Sequence, residues 1–273
     1  MSSALANSNP ILSQHFERNH LLSQLIWLER DYLLPRLQVM DLSVNETVYN
    51  EGDATEFVYF PIDCVISSLA LLRDGSTVEI AMMGREAIVG SGAILGANIN
   101  RYWMRMSLAG RLVRLHTDDL TAVFNRNKSI AKAILHSFNL LVTQISQRSV
   151  CHARHSVMER FSCWLLMIDD RLGEGSFKLT QELIASRLGA RRAGITVAAR
   201  MLSEINGVEY KRGSLQIKDR AVVEQQSCEC YSVLKLKAEQ AQRPVFEYQS
   251  PRRVVPPLTP PSDFLVRRSD GAS

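Results

Sequence analysis

The chain contains no run of 18 apolar residues, so the sequence predicts no membrane-spanning helix. Its first thirty residues carry Glu17, Arg18, Glu29 and Arg30 and lack the basic, apolar, small-residue order of a secretory leader. Cysteine is sparse. Cys64, Cys151, Cys163, Cys228 and Cys230 form an odd, scattered set, which argues against a disulfide framework and for reduced thiols in a cytoplasmic setting. Catalytic signatures are missing too: there is no Gly-x-Ser-x-Gly elbow, no His-Glu-x-x-His, no Walker loop and no dinucleotide fingerprint after a strand. Asp118-Asp119 and Asp169-Asp170 read as helix-start and helix-end charges. The expectation is a protein that is not an enzyme, with no catalytic residue and no metal site. No internal repeat is visible.

What is present suffices for a folded protein. Of 273 residues, 46% are hydrophobic and 22% charged, a balance that excludes general disorder and allows one large or two ordinary domains. The net charge of +4 is unevenly spread: residues 148–220 hold 13 Lys/Arg against 8 Asp/Glu, whereas residues 1–147 hold 12 against 14. A local basic excess suits a polyanionic partner, although solvated helix faces produce the same signal.

From about Leu42 to Leu115 the pattern is one of short strands with turn punctuation. Thr47–Tyr49 precedes Asn50-Glu51-Gly52-Asp53, and Phe57–Phe60 is stopped by Pro61. Val65–Leu72 reaches the hairpin dipeptide Asp74-Gly75, and Thr77–Met83 follows as partner strand. Gly84, Gly90, Gly92, Gly96 and Gly110 divide further apolar runs, so about eight strands predict a barrel or jelly roll. Asp118-Asp119 opens a short helix and a longer one begins near Ser129. On it Ile134, Phe138, Leu141 and Ile145 form an a/d seam, suited to a dimer helix or to packing on the chain's own roll.

A new unit starts at Ser156-Val157-Met158-Glu159, which fits a capping box. Its helix reaches Gly173. Thr180 to about Leu188 and about Arg191 to Ile205 are two short helices joined at Leu188-Gly189-Ala190, where glycine suits a left-handed residue. Val208–Tyr210, a turn at Lys211-Arg212-Gly213-Ser214, and Leu215–Ile217 then form a small wing. Asp219 caps one last helix, through Tyr231 to about Leu236. Six of the nine prolines fall between Pro244 and Pro261, predicting a disordered tail.

The 180–217 segment has the pattern of a winged helix-turn-helix, in which the second helix enters the DNA major groove. Arg191 and Arg192 stand at the start of that helix, with Thr196 and Arg200 one and two turns on. Thr180 opens the first helix. Lys211 and Arg212 at the wing tip are placed for phosphates. Gly194 within the helix suggests a close approach to the first helix or to DNA.

This order of elements resembles the Crp/Fnr family of bacterial transcription regulators over about residues 20–236. Val58-Tyr59-Phe60, Asp74-Gly75, Gly84-Arg85-Glu86 with Gly90, and Leu179–Leu202 carry the resemblance. The Gly-Arg-Glu motif together with Cys228-Glu229-Cys230-Tyr231 marks one branch of that family. The resemblance implies an α+β chain. Its parts would be a flexible N-terminus (1–20), a cyclic-nucleotide-binding-like β-roll (21–128), and a dimerisation helix with hinge (129–155). A winged helix-turn-helix domain (156–239) and a proline-rich tail (240–273) would follow. It further implies a homodimer on a two-fold symmetric double-stranded DNA site, with RNA polymerase as a partner.

Departures from the family pattern bear on the effector. Arg85, Glu86, Gly90, Ser91, Arg101, Ile145 and Ser146 are the candidate pocket residues. However, Ser91 replaces the glutamate that holds a ribose, and the phosphate-binding run falls on Asn100-Arg101-Tyr102. Ile145, with Ser146 beside it, replaces an adenine-contacting hydroxyl. A phosphate buried without its arginine costs several kcal/mol, on the order expected for an unpaired buried charge, so cyclic-AMP binding of the usual kind is not expected. No N-terminal cysteine cluster precedes Cys64, which argues against an iron–sulfur centre. His15, His20, His116, His136, His152 and His155 each leave an axial haem ligand open, although a lone histidine is more often a surface or core residue. On a helix Cys228 and Cys230 point about 200° apart, a poor chelating pair, so helix packing is expected of one of them, with a redox role as the alternative. No cofactor is therefore predicted and the effector stays unknown. At the reading helix, Arg191-Arg192-Ala193-Gly194-Ile195 keeps one family arginine at Arg192, replaces the glutamate by Ala193, and has Val197 in the later arginine's place. The alternative is a ligand- or protein-binding roll whose winged helix mediates protein contacts.

Overall fold

Strand β1 (Gln38–Leu42), β7 (Gly110–His116) and β3 (Phe57–Pro61) form one antiparallel sheet in the order β1-β7-β3. A second antiparallel sheet has the order β2-β6-β4-β5, from β2 (Thr47–Tyr49), β6 (Trp103–Leu108), β4 (Val65–Leu71) and β5 (Thr77–Met83). This computed structural model describes residues 16–242 with the exception of residue 174. The roll has seven strands rather than about eight, because 84–102 forms bends, two isolated bridges and a 3-10 turn at Ser91–Leu95. Between the sheets lie Tyr49, Ile66, Met83, Val89, Met106 and Leu112, the inward set of alternating strands. The β4–β5 hairpin is closed by Leu72 and Ser76 around Arg73-Asp74-Gly75, with Gly75 at φ +82°. A three-residue hairpin ending in a left-handed residue needs glycine there.

Helix α1 (His20–Leu33) was not expected from the sequence. Asn19 caps it through Leu22 N, and Leu21, Leu22, Leu25 and Leu33 pack with α2 (Thr117–Arg126) and the start of α3 (Lys128–Arg154) against β3 and β7. The long helix α3 then crosses to the other sheet. There the Gln144 amide accepts from Met82 N at 2.8 Å and donates to Met82 O at 3.0 Å, serving the free edge of β5 as a neighbouring strand would.

His155 ends α3, and the expected capping box at Ser156 and Glu159 opens α4 (Val157–Leu172). Beyond it come β8 (Ser176–Lys178), α5 (Gln181–Leu188), α6 (Arg192–Glu204), and the wing strands β9 (Val208–Lys211) and β10 (Ser214–Ile217). Strand β8 adds a third member to the wing sheet, in the order β8-β10-β9. The expected single last helix is two: α7 (Arg220–Gln225), capped by Asp219, and α8 (Glu229–Gln242). The break at 226–228 buries Cys228 and lets α8 turn back along α3. The expected flexible N-terminus lies mostly, and the proline-rich tail from residue 243 on, outside the described residues.

Candidate nucleic-acid interface

Thr180 caps α5 by accepting from Leu183 N at 3.1 Å, and α5 stops at Gly189, whose φ of +54° meets the expected left-handed turn. Helix α6 follows after Ala190 and Arg191. Its inner face, Ile195, Ala198, Ala199 and Leu202, packs with Ile184, Leu188 and Phe161 into one core with the wing residues Val208 and Leu215. This burial fixes which side of α6 remains outside: Arg192, Ala193, Thr196, Val197, Arg200, Met201 and Glu204.

The cations on that side have weak local partners. Arg192 Nε lies 3.8 Å from Glu182, and Arg200 Nε lies 3.3 Å from Glu204, with all four side chains well exposed. Such exposed pairs exchange readily for a phosphate or a base edge. Thr196 Oγ1 sits 2.7 Å from Gln181 Oε1, tying α6 to the start of α5. At the wing tip Arg212 and Gly213 both have positive φ, +50° and +76°, between the paired residues Lys211 and Ser214. That is the two-residue hairpin geometry that projects its first residue outward. Lys211 pairs with Glu209, and the two ammonium groups of Lys211 and Lys218 hold the Glu209 carboxyl down to about 2. Gly194 does not approach α5. A Cβ there would meet the Val157 methyls at 3.7 and 3.8 Å, an ordinary contact with the start of α4.

The winged unit is docked on the roll through buried polar groups. Glu79 on β5 accepts from Arg148 Nη1 and Trp164 Nε1, each at 2.9 Å, and from Ser67 Oγ. Ser67 and Ser107 lie 2.6 Å apart, and Arg187 of α5 donates to Ser107 at 2.9 Å. Burial pushes the Arg187 guanidinium down from its ordinary value, with Glu79 opposing. At the hairpin, Thr77 Oγ1 is 2.7 Å from Ser186 Oγ.

The Gly-Arg-Glu motif belongs to the same junction. Arg85 donates to the Asp170 carbonyl, and Glu86 meets Arg171 at 2.6 Å. A Cβ on Gly84 would lie 2.7 Å from the Arg171 side chain, so glycine is what lets that buried arginine cross the strand end. Arg220 joins Asp169, Asp170 and the Tyr231 hydroxyl on the far side of the same helix end.

The candidate effector residues divide accordingly. Arg85, Glu86 and Ser91 border a cavity between the roll, α3, α4 and α8. Its roughly 80 Å³ suits a few waters rather than a nucleotide. Arg101, Ile145 and Ser146 do not line it. Arg101 and Ser146 are exposed, and Ile145 is turned toward the half-buried side of α3. Gly90, at φ +85°, closes against the Phe57 carbonyl and serves the roll's backbone.

On α3, Ile134 and Leu141 take the alternative expected of the stripe, packing on the chain's own roll. Ile134 is 1% exposed and belongs to the core with α1 and β3, and Leu141 packs on the roll core. The apolar residues left outside are Leu135 (48% exposed), Val142 (45%) and Val150 (51%), with Phe138 and Ile145 half-buried beside them. Roll packing consumed one edge of the heptad stripe, which the sequence could not reveal.

The reading of Cys228 and Cys230 as a divergent pair is overturned as well. Cys228 lies before the first turn of α8, not on it. Cys151, His155, Cys228 and Cys230 consequently have their donor atoms within 4.8 Å of one another. Cys64, by contrast, is isolated in the roll, where burial pushes its thiol up to about 12.

No protein-family profile fits the sequence, and no curated protein matches it. Solved structures do match. FixK2 from Bradyrhizobium japonicum aligns with a TM-score of 0.62 at 17% identity, covering 70% of this chain and 98% of that one. TTHB099, a CRP-family transcriptional regulator from Thermus thermophilus, gives 0.60 at 13% identity, over 69% and 96%. The c-di-GMP-responsive regulator CLP of Xanthomonas campestris gives 0.54 at 13%, over 70% and 98%. A cyclic-nucleotide-binding-type roll, a long connecting helix and a winged helix-turn-helix, in one order and at these alignments, give this chain the fold of the Crp/Fnr transcription regulators.

Proposed function

We propose that the chain is a sequence-specific DNA-binding regulator of transcription that acts as a homodimer in the cytoplasm. The observation that carries this is the outward face of α6. Arg191, Arg192, Thr196 and Arg200 are exposed there, while the opposite face is fully used by the core, and the cationic wing tip Lys211-Arg212 is exposed as well. Helix N-terminal arginines read guanine edges, and wing cations hold phosphates. The exposed apolar side chains Leu135, Val142 and Val150 supply the surface for a second copy along α3. A dimer placing two α6 helices about one DNA turn apart reads a two-fold site. The roll then serves as a sensory or structural unit that does not hold cyclic AMP in the usual way. RNA polymerase is the partner this fold suggests.

The test is selection of bound sequences from a random DNA pool with the purified protein at two salt concentrations, with and without small molecules from cell extract. A palindromic motif whose recovery falls steeply with salt supports the reading. Recovery of no motif under either condition overturns it in favour of a protein-contact module.

A further inference from the structure

We propose that Cys151, His155, Cys228 and Cys230 form a Cys3His zinc site that ties the hinge to the last helix. The site goes beyond the DNA-binding reading and does not depend on it. Two segments contribute: the end of α3, with Cys151 in its last turn and His155 at its C-cap, and the start of α8, with Cys228 and Cys230 on either side of its first residue. All three sulfurs are buried, and the imidazole is 13% exposed.

The four donor atoms lie within 4.8 Å of one another, and two of their separations are close to those of a tetrahedral zinc site. Zinc–sulfur bonds of about 2.3 Å and zinc–nitrogen bonds of about 2.0–2.1 Å imply S–S and S–N edges of roughly 3.8 and 3.6 Å. Cys151 Sγ and Cys228 Sγ are 3.5 Å apart, and Cys230 Sγ is 3.5 Å from His155 Nδ1. A disulfide between the first pair would need about 2.05 Å.

The surroundings supply a second, independent sign. Metal-bound imidazoles are commonly oriented by a carboxylate on the other ring nitrogen. Here His155 Nε2 faces Glu229 Oε2 at 3.2 Å, which leaves Nδ1 aimed into the sulfur cluster. The middle residue of Cys228-Glu229-Cys230 thus orients the histidine while its neighbours provide thiolates. Gln147 Nε2 donates to Cys230 Sγ at 3.1 Å, a bond that favours the anionic sulfur. On binding, each thiol that is still protonated gives its proton to solvent, the imidazole stays neutral, and four bonds to one divalent ion form with no change of oxidation state. Softness of the donors selects zinc over magnesium or calcium.

The experiment uses the full chain purified under reducing conditions. Metal content is measured by elemental analysis, and the stripped protein is titrated with Zn²⁺ and, separately, Co²⁺. About one zinc per chain is expected, with intense thiolate-to-cobalt charge-transfer absorption and tetrahedral d–d bands. Cys230→Ala and His155→Ala should each weaken Co²⁺ binding at least tenfold, while His155→Cys restores it with stronger charge transfer. Cys64→Ala should bind as the parent does. Should Cys230→Ala fail to fold, the His155 pair and a far-ultraviolet spectrum of the stripped parent carry the test. Substoichiometric zinc binding with no thiolate bands overturns the proposal. So does a cobalt spectrum unchanged by His155→Ala, or a Cys151–Cys228 disulfide that forms in the presence of equimolar zinc.

Discussion

Gly194 and Arg192 sit two residues apart on α6, and the structure gives them opposite duties. Gly194 meets only Val157 methyls at 3.7 Å or more, so nothing in the chain requires glycine. Gly194→Ala should therefore raise stability by about 0.5–1 kcal/mol, the helix-propensity difference, measured by denaturant unfolding. A gain in stability with a loss of DNA affinity would place the glycine against DNA instead. Arg192 is exposed and makes one loose ion pair at 3.8 Å, so its removal should leave stability within about 0.5 kcal/mol. Arg192→Ala should lower affinity for the selected site by about 1–3 kcal/mol and relax one base position, read by competition binding with single-base variants. Equal losses across all sequences would make it a phosphate contact. That Arg192 is exposed at a helix start was legible in the sequence, because a helix start needs no tertiary partner to be recognised, whereas the close approach expected between Gly194 and the first helix is absent.

At the scale of elements, α3 shows how far periodicity reaches. The four-three-four spacing of Ile134, Phe138, Leu141 and Ile145 correctly announces an amphipathic helix, and Lys128–Arg154 is one. Which edge of the stripe faces the roll depended on α1, a helix missed in the sequence despite its Asn19 cap and helically spaced Leu21, Leu22, Leu25 and Ile26, and on Gln144, whose amide pairs with the β5 backbone. Val142, 45% exposed, lies on the remaining face. Val142→Lys should raise the dimer dissociation constant well over tenfold, because an unpaired ammonium enters an apolar interface. Sedimentation across a concentration series reads it, and an unchanged dimer would move the interface off this face. The last helix offers the converse case. Asp219 announced its start, but the break at 226–228 is set by burial of Cys228 and Cys230 against α3 and α4.

Across the whole molecule, Val65, Met82 and Leu108 of the roll join the core of the winged unit, and a buried polar network centred on Glu79 links the two. Nothing in the sequence singled out Glu79, an acid in a strand that alternates like its neighbours. Glu79→Ala leaves Arg148 buried without its counter-charge and Trp164 Nε1 and Ser67 Oγ without their acceptor. Loss of one partner of a buried ion pair costs about 3–5 kcal/mol, and a fall in unfolding free energy of that order is expected. Glu79→Gln keeps an acceptor oxygen and should lose less, with a smaller change in Trp164 fluorescence. Equal losses for both would assign the effect to charge alone. The network joins three parts of the chain: Arg148 on α3 meets Glu79 of β5, and Arg187 on α5 donates to Ser107 of β6. A signal that favours one pose must change these contacts differentially.

The sequence by itself determined most strands of the roll, the long helix, the helix-turn-helix with its wing and the exposed cations of α6, because strand alternation, capping residues and turn glycines act over a few neighbouring residues; α1, β8 and the split of the last helix were added by the structure. Tertiary structure alone decided what distant residues do together. It set Arg85 and Glu86 against Asp170 and Arg171 at the end of α4, where with Ser91 they also border the cavity, and it left Arg101, Ile145 and Ser146 off that cavity's lining. It also gathered Cys151, His155, Cys228 and Cys230. These outcomes depend on burial shared among segments 70 or more residues apart, and no local pattern encodes which segments meet.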